Sequence, residues 1–137
     1  FLHSYAVHSY LLLTLCAKFR WLMMRSYLTI KENRQFQRAY RRGKSFVSPG
    51  LVTYIVKNNS NNLQIGITTS KKIGKAVQRN RCRRIIRAAF CEISPMISNG
   101  YDIVFVARAK TVYLKSTDIL SAMKSHLQQA NVLKKLK

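Results

Sequence analysis

The sequence predicts an α/β (α+β) sandwich in the order α-β-β-α-β-α, and three observations predict it. Residues 76–93 carry apolar side chains at helical spacing on one face and arginines on the other. Three runs, 46–57, 63–69 and 101–108, are rich in β-branched and aromatic residues and are bounded by turn formers. Helical patterns open and close the patterned part of the chain, with no internal repeat or linker between them. The 137 residues suffice for one domain with its own core.

Residues 1–23 stand apart. The apolar run 10–17 is shorter than the roughly 18 residues of a membrane span, and Lys18 and Arg20 follow it. A secretory signal places its positive charge before the apolar run, and here the order is reversed. The segment is expected to be an accessory helix or, by preference, sequence upstream of a start at Met24, leaving 24–137 as the domain. No membrane association is expected.

Thr29-Ile30-Lys31-Glu32 reads as a capping box, with Thr29 as N-cap and Glu32 at the third helical position. The predicted helix runs to Arg42 and stops at Gly43. Phe36, Ala39 and Tyr40 share one face, and Arg34, Arg38, Arg41 and Arg42 lie along another. Residues 46–57 read as a strand, interrupted at Ser48-Pro49-Gly50 by a bulge or a late start. The polar turn 58–62 then predicts an antiparallel hairpin with a strand over 63–69. There Leu63, Ile65 and Ile67 share a side, and Gly66 invites close approach of another group.

The basic stretch 71–87 follows, with eight Lys or Arg in seventeen residues and no acid. At about 100° per residue, Arg79, Arg83, Arg87 and Arg84 fall at roughly 0°, 40°, 80° and 140° around the helix axis. Cys82, Ile85, Ile86, Ala89 and Ile93 fall between roughly 240° and 340°. A charge run is commonly just a solvated face. This one lacks the carboxylates that make i,i+4 pairs, so its like charges repel until an anion arrives. A row of phosphates is the natural partner of such a row of cations. The helix ends near 92–95. A nearly continuous apolar strand, 101–108, is expected to be buried on both faces. Ser116 or Thr117 caps a last helix packed through Ile119, Leu120, Met123 and Leu127.

Net charge is +21, from 25 basic residues against Glu32, Glu92, Asp102 and Asp118. That imbalance on a folded domain points to a polyanion. Metal-assisted phosphodiester hydrolysis needs several clustered carboxylates, and these four are scattered. His3, His8 and His126 make no ligand pair, so no catalytic or metal-binding residue is assigned. Cys82 and Cys91 would lie about 13 Å apart along one helix, too far for a disulfide. With Cys16 they form an odd, unpatterned set that fits a reducing cytoplasm.

Three elements together carry a resemblance. They are Asn33-x-x-Phe36-x-x-x-Tyr40-x-x-Gly43, then Ile65-Gly66-Ile67-x-x-Ser70-Lys71-Lys72-Ile73-Gly74, then Ala76-Val77-x-Arg79-Asn80-Arg81-x-x-Arg84-x-x-Arg87. In this order they resemble the bacterial ribonuclease P protein family, over residues 24–135. The resemblance implies three helices on a sheet of about four strands, with a left-handed β-α-β crossover around the basic helix. It implies a subunit of the endoribonuclease that removes the 5′ leader of precursor tRNA. The catalyst there is the RNA subunit with bound Mg2+, and none of that magnesium is held by protein side chains.

By the same resemblance, Lys71, Lys72, Arg79, Asn80, Arg81, Arg83, Arg84 and Arg87 contact the catalytic RNA. Phe36, Tyr40 and Tyr54 line a cleft for the single-stranded leader. Tyr40 stands where a Phe is common, and keeps the ring. The implied partners are the catalytic RNA and precursor tRNA, with no stable protein partner. A ribosomal-type or RNA-chaperone protein would share the charge and fold, and a protein-only nuclease would cleave unaided.

Overall fold

The computed structural model describes residues 27–135. Its elements are β1 (Tyr27–Thr29), α1 (Asn33–Arg42), β2 (Lys44–Val47), β3 (Leu51–Lys57), β4 (Leu63–Thr68), α2 (Ala76–Ile93), β5 (Tyr101–Ala107) and α3 (Ser116–Gln129). Among the described residues, five strands form one sheet in the order β1-β4-β5-β3-β2. β5 sits in the middle because it is apolar on both sides: Ile103, Val104 and Phe105 are all fully buried. It runs parallel to β4 and antiparallel to β3.

The pleat divides the core in two. Val104 joins Ile30 and Ala39 under α1, with Phe36, Tyr40 and Tyr54 packed beside them. On the opposite face Leu51, Ile55, Ile65, Ile103 and Phe105 meet Ile86 and Phe90 of α2 and Ile119, Met123 and Leu127 of α3. The apolar stripes predicted for both helices are therefore the surfaces they bury. Thr53 and His126 are the buried polar pair of this layer, with Thr53 Oγ1 at 2.9 Å from His126 Nδ1.

Several expectations are corrected. Thr29 does not cap α1. It pairs in β1 with Ile65, and the Ile30 N–H donates to the Ile65 carbonyl, so α1 begins only at Asn33. Sheet pairing has taken the backbone that the capping box would have used. The interrupted strand is two strands: Ser48 and Leu51 exchange backbone hydrogen bonds across Pro49-Gly50, and β2 folds back antiparallel on β3. With β1, this raises the sheet from about four strands to five.

The predicted hairpin between residues 46–57 and 63–69 does not form. The turn reverses the chain, but β5, the most buried strand, lies between β3 and β4. The cap of α3 falls at Lys115, one residue before Ser116, where the Lys115 N–H donates to the Asp118 carboxylate at 3.0 Å. The expectations for residues 1–23, and for a start at Met24, lie outside the described residues.

Candidate nucleic-acid interface

The basic stretch is held at its start by side chains of its own first helical turn. Lys71–Ile73 form a 3-10 turn that inserts Ile73 into the core and leaves Lys71 and Lys72 exposed. Gly74 follows at φ 141°, a conformation that favours glycine, and an added Cβ would collide with the Gln78 amide. That amide is held where it is because Gln78 Oε1 accepts the Lys75 N–H at 2.8 Å. Arg79 folds back onto the same loop, its guanidinium donating to the Gly74 carbonyl at 2.7 Å.

Further along α2 the cations divide by partner. Arg83 is half-buried and donates to Asn80 Oδ1 at 3.1 Å. Arg81 points away from that row and donates through Nε to the Val112 carbonyl at 3.3 Å, tying α2 to the 3-10 segment Ala109–Tyr113. Arg84 and Arg87 are exposed and have no hydrogen-bond partner among the described residues. Acid neutralises little of this: among the described residues the one ion pair is Arg34 with Glu32 at 4.0 Å, on the surface. Beneath the row, burial pushes the Cys82 thiol pKa up, with Arg81 partly opposing the rise.

The aromatic residues are positioned by the other face of the sheet. Phe36 lies over Gly66 so closely that an added Cβ there would sit 2.7 Å from its Cζ. Tyr40 and Tyr54 meet edge to face with centroids 5.1 Å apart, and the Tyr40 hydroxyl lies 3.0 Å from Thr68 Oγ1. β1 ends at Thr29, so β4 beyond Ile65 has no strand neighbour on that edge. A hollow of about 340 Å³ opens there, lined by Ile30 and Phe36 from the α1 face of the sheet, by Ile65 and Ile67 of β4, and by Arg83 and Arg87 of α2. Two residue sets that the sequence assigned separately, the ring of α1 and the guanidinium groups of α2, thus share one space. Tyr40 and Tyr54 lie at the same helix–sheet junction but do not wall that hollow.

Sequence reasoning missed Tyr27 and Ile30 as members of this wall. Tyr27 stacks edge to face on Phe90 at 4.9 Å and places its hydroxyl 3.4 Å from Cys91 Sγ. The signal was available, since Tyr27-Leu28-Thr29-Ile30 is itself a β-prone run.

Residues 24–131 match the family model described as Ribonuclease P. The chain belongs to the ribonuclease P protein family. A ribonuclease P protein component from Clostridioides difficile (strain 630) is 40% identical over 104 residues, covering 75% of this chain and 91% of its own. The ribonuclease P protein structure from Staphylococcus aureus superposes with a TM-score of 0.69 at 33% identity, covering 77% of this chain and 97% of that one. The one from Thermotoga maritima gives 0.66 at 26%, covering 74% and 96%. The function is that of the protein subunit of ribonuclease P, within an endoribonuclease holoenzyme of tRNA processing, and the ribosomal or RNA-chaperone alternative is not favoured.

Proposed function

We propose that this ribonuclease P protein rides on a catalytic RNA through its cation row and holds the 5′ leader of precursor tRNA beside α1. Lys71, Lys72, Arg84 and Arg87 meet RNA phosphates directly. Arg79, Asn80, Arg81 and Arg83 shape that surface and add contacts of their own. The leader lies in the cleft of Phe36, Tyr40 and Tyr54, and residues 24–137 act as one domain. The observation that carries this reading is the hollow at the Phe36 end of that cleft, whose lining includes one aromatic ring and two guanidinium groups unmatched by any carboxylate among the described residues. Unpaired nucleotides are held in this way, with bases stacked on rings and backbone phosphates against arginine.

Stacking is worth about 1–3 kcal/mol per base, or roughly 5- to 150-fold in affinity. Precursor is therefore bound better than mature tRNA, which has no leader to place. This is discrimination by differential binding, with no side chain taking part in bond cleavage. Hydrolysis falls to the RNA and to the magnesium that it and the substrate bind. Among the described residues no group of three His, Cys, Asp or Glu could hold a metal ion. Asp102 is buried against Asn58 at 2.7 Å, and Asp118 serves the cap of α3. Asp102 and Asp118 are thus engaged within the fold, and the chain's part in this reading is binding and positioning.

No helix among the described residues is long and apolar enough to cross a membrane. Cys82 and Cys91 are free thiols, which supports work in a reducing compartment, the cytoplasm.

The test is reconstitution with Phe36→Ala plus Tyr40→Ala. The preference for precursor over mature tRNA is expected to fall at least fivefold, while assembly with the RNA is retained. An unchanged preference refutes the cleft assignment.

A further inference from the structure

The opposite edge of the sheet holds a second basic hollow that the reading above does not use. β2 starts at Lys44, opposite Ile55, so Val56 and Lys57 of β3 have no strand neighbour on that side. A space of about 470 Å³ opens there, and four cations line it: Arg38 and Arg42 from α1, Lys44 from β2 and Lys57 from β3. Its apolar lining includes Val56 and Tyr101.

Three features set this space apart from a solvated rim. No carboxylate answers the four charges, since the only ion pair among the described residues lies elsewhere, at Arg34 and Glu32. The acid nearest in register is Asp102, opposite Val56 in the β3–β5 pair, and it is buried and bonded to Asn58. Arg38 is also held in place, its Nη2 donating to the Lys57 carbonyl at 2.9 Å, while its Nε–H is buried without a partner. Four uncompensated cations around one hollow repel one another until an oxyanion bridges them, and charge-assisted bonds to such an anion are the strong ones.

We propose that this hollow is a second phosphodiester-binding site. The strand order puts β5 between β4, which borders the first hollow, and β3, which borders this one. At about 4.8 Å per strand the two edges are separated by roughly 10 Å of sheet, with α1 between the openings. Two adjacent phosphates of one strand are too close together to serve both. The second site takes its phosphate either from leader nucleotides farther from the cleavage site or from the catalytic RNA. The proposal rests on the RNA-binding function proposed above.

The test uses the full-length protein with Arg42→Gln plus Lys44→Gln, two exposed positions that leave Arg38 and its bond intact. Affinity for the catalytic RNA, and holoenzyme affinity for precursors with short and long leaders, are measured across a salt series. If the phosphate belongs to the catalytic RNA, assembly weakens several-fold and its log–log salt slope falls by roughly 1.4–1.8, two contacts at about 0.7–0.9 each. If it belongs to the leader, assembly is unchanged and only long-leader precursors lose affinity. Either result supports the site. No change in either measurement overturns it, as does an equal loss from Lys115→Gln plus Lys124→Gln, which removes the same charge elsewhere. An Arg84→Ala plus Arg87→Ala protein run in parallel separates the two ideas. If it weakens while the Arg42 and Lys44 variant does not, the second site alone is wrong.

Discussion

Gly66→Ala tests how the fold builds the proposed leader site, because it adds one methyl group beneath Phe36. Gly66 is buried in β4 opposite Val104, and its φ is not positive, so alanine meets no backbone penalty. The added Cβ would lie 2.7 Å from Phe36 Cζ. Phe36 Cε1 is closer still, and carbon atoms in contact sit about 3.5–4.0 Å apart, so the ring must retreat by more than about 1 Å. Overpacking of that size costs about 1–3 kcal/mol. Urea unfolding is expected to show this loss, and precursor affinity is expected to fall with it if the leader is held as proposed, since the ring retreats into the space proposed for the leader. Phe36→Ala alone removes a half-buried ring, for a loss of about 2 kcal/mol, half the range of a fully buried one. In the double variant the new methyl meets no ring, so the two losses combine to about 1–3 kcal/mol less than their sum. Losses that add within about 0.5 kcal/mol would refute the close approach of Phe36 to Gly66.

Arg84→Ala with Arg87→Ala removes two exposed cations that no described residue engages. Stability is expected to hold, while the log–log salt slope of binding to the catalytic RNA falls by roughly 1.4–1.8. Equal slopes in a filter-binding titration would count against the row as an RNA contact. His126 makes a prediction about pH. Burial lowers its pKa below the ordinary 6.5, so the folded state favours the neutral ring. Its contribution to stability is complete above pH 6.5 and is lost progressively as the pH falls below that value. Urea midpoints at about pH 7.5 and 5 are expected to differ less in His126→Gln than in the parent. The same difference in both proteins would rule out His126 as the titrating group.

What the sequence revealed follows from the range of the forces involved. α2 and α3 were legible because a helix writes its buried face at a fixed local period, and Cys82, Ile86, Ala89 and Ile93 are all buried as that period requires. β5 was legible as a strand buried on both sides from composition alone. Its place between β3 and β4 was not, because that order depends on pairing residues far apart in the chain, such as Thr53 with Phe105 and Gln64 with Asp102. Thr29 and Glu32 satisfied a local capping rule, but the pairing of β1 with β4 prevailed, burying Ile30 and holding its N–H on the Ile65 carbonyl. Of the site, the charged row could be read in advance. The meeting of Phe36 with Arg83 and Arg87 could not, because it needs the edge of β4 to be left open where β1 ends.

The bonding along α2 also gives Arg79-Asn80-Arg81 a role that charge alone does not suggest. Arg79 is tied to the Gly74 carbonyl, Arg81 to the Val112 carbonyl, and Asn80 to Arg83. Each bond uses one donor or acceptor of a group that has several, so each residue anchors the protein and keeps polar atoms for the RNA contacts proposed above. The bond from Arg79 fixes the loop that displays Lys71 and Lys72. The bond from Arg81 fixes the segment leading to α3. The one from Asn80 aims Arg83, which would otherwise swing freely over the hollow. A lysine at position 79 or 81 keeps the charge but loses the planar fork that bonds inward and outward at once. Pre-setting cations in this way reduces the side-chain entropy lost when RNA binds. Arg84 and Arg87 lack such ties, so the first half of the face is set by the carbonyls and the Asn80 amide while the second half is left to its counter-ions.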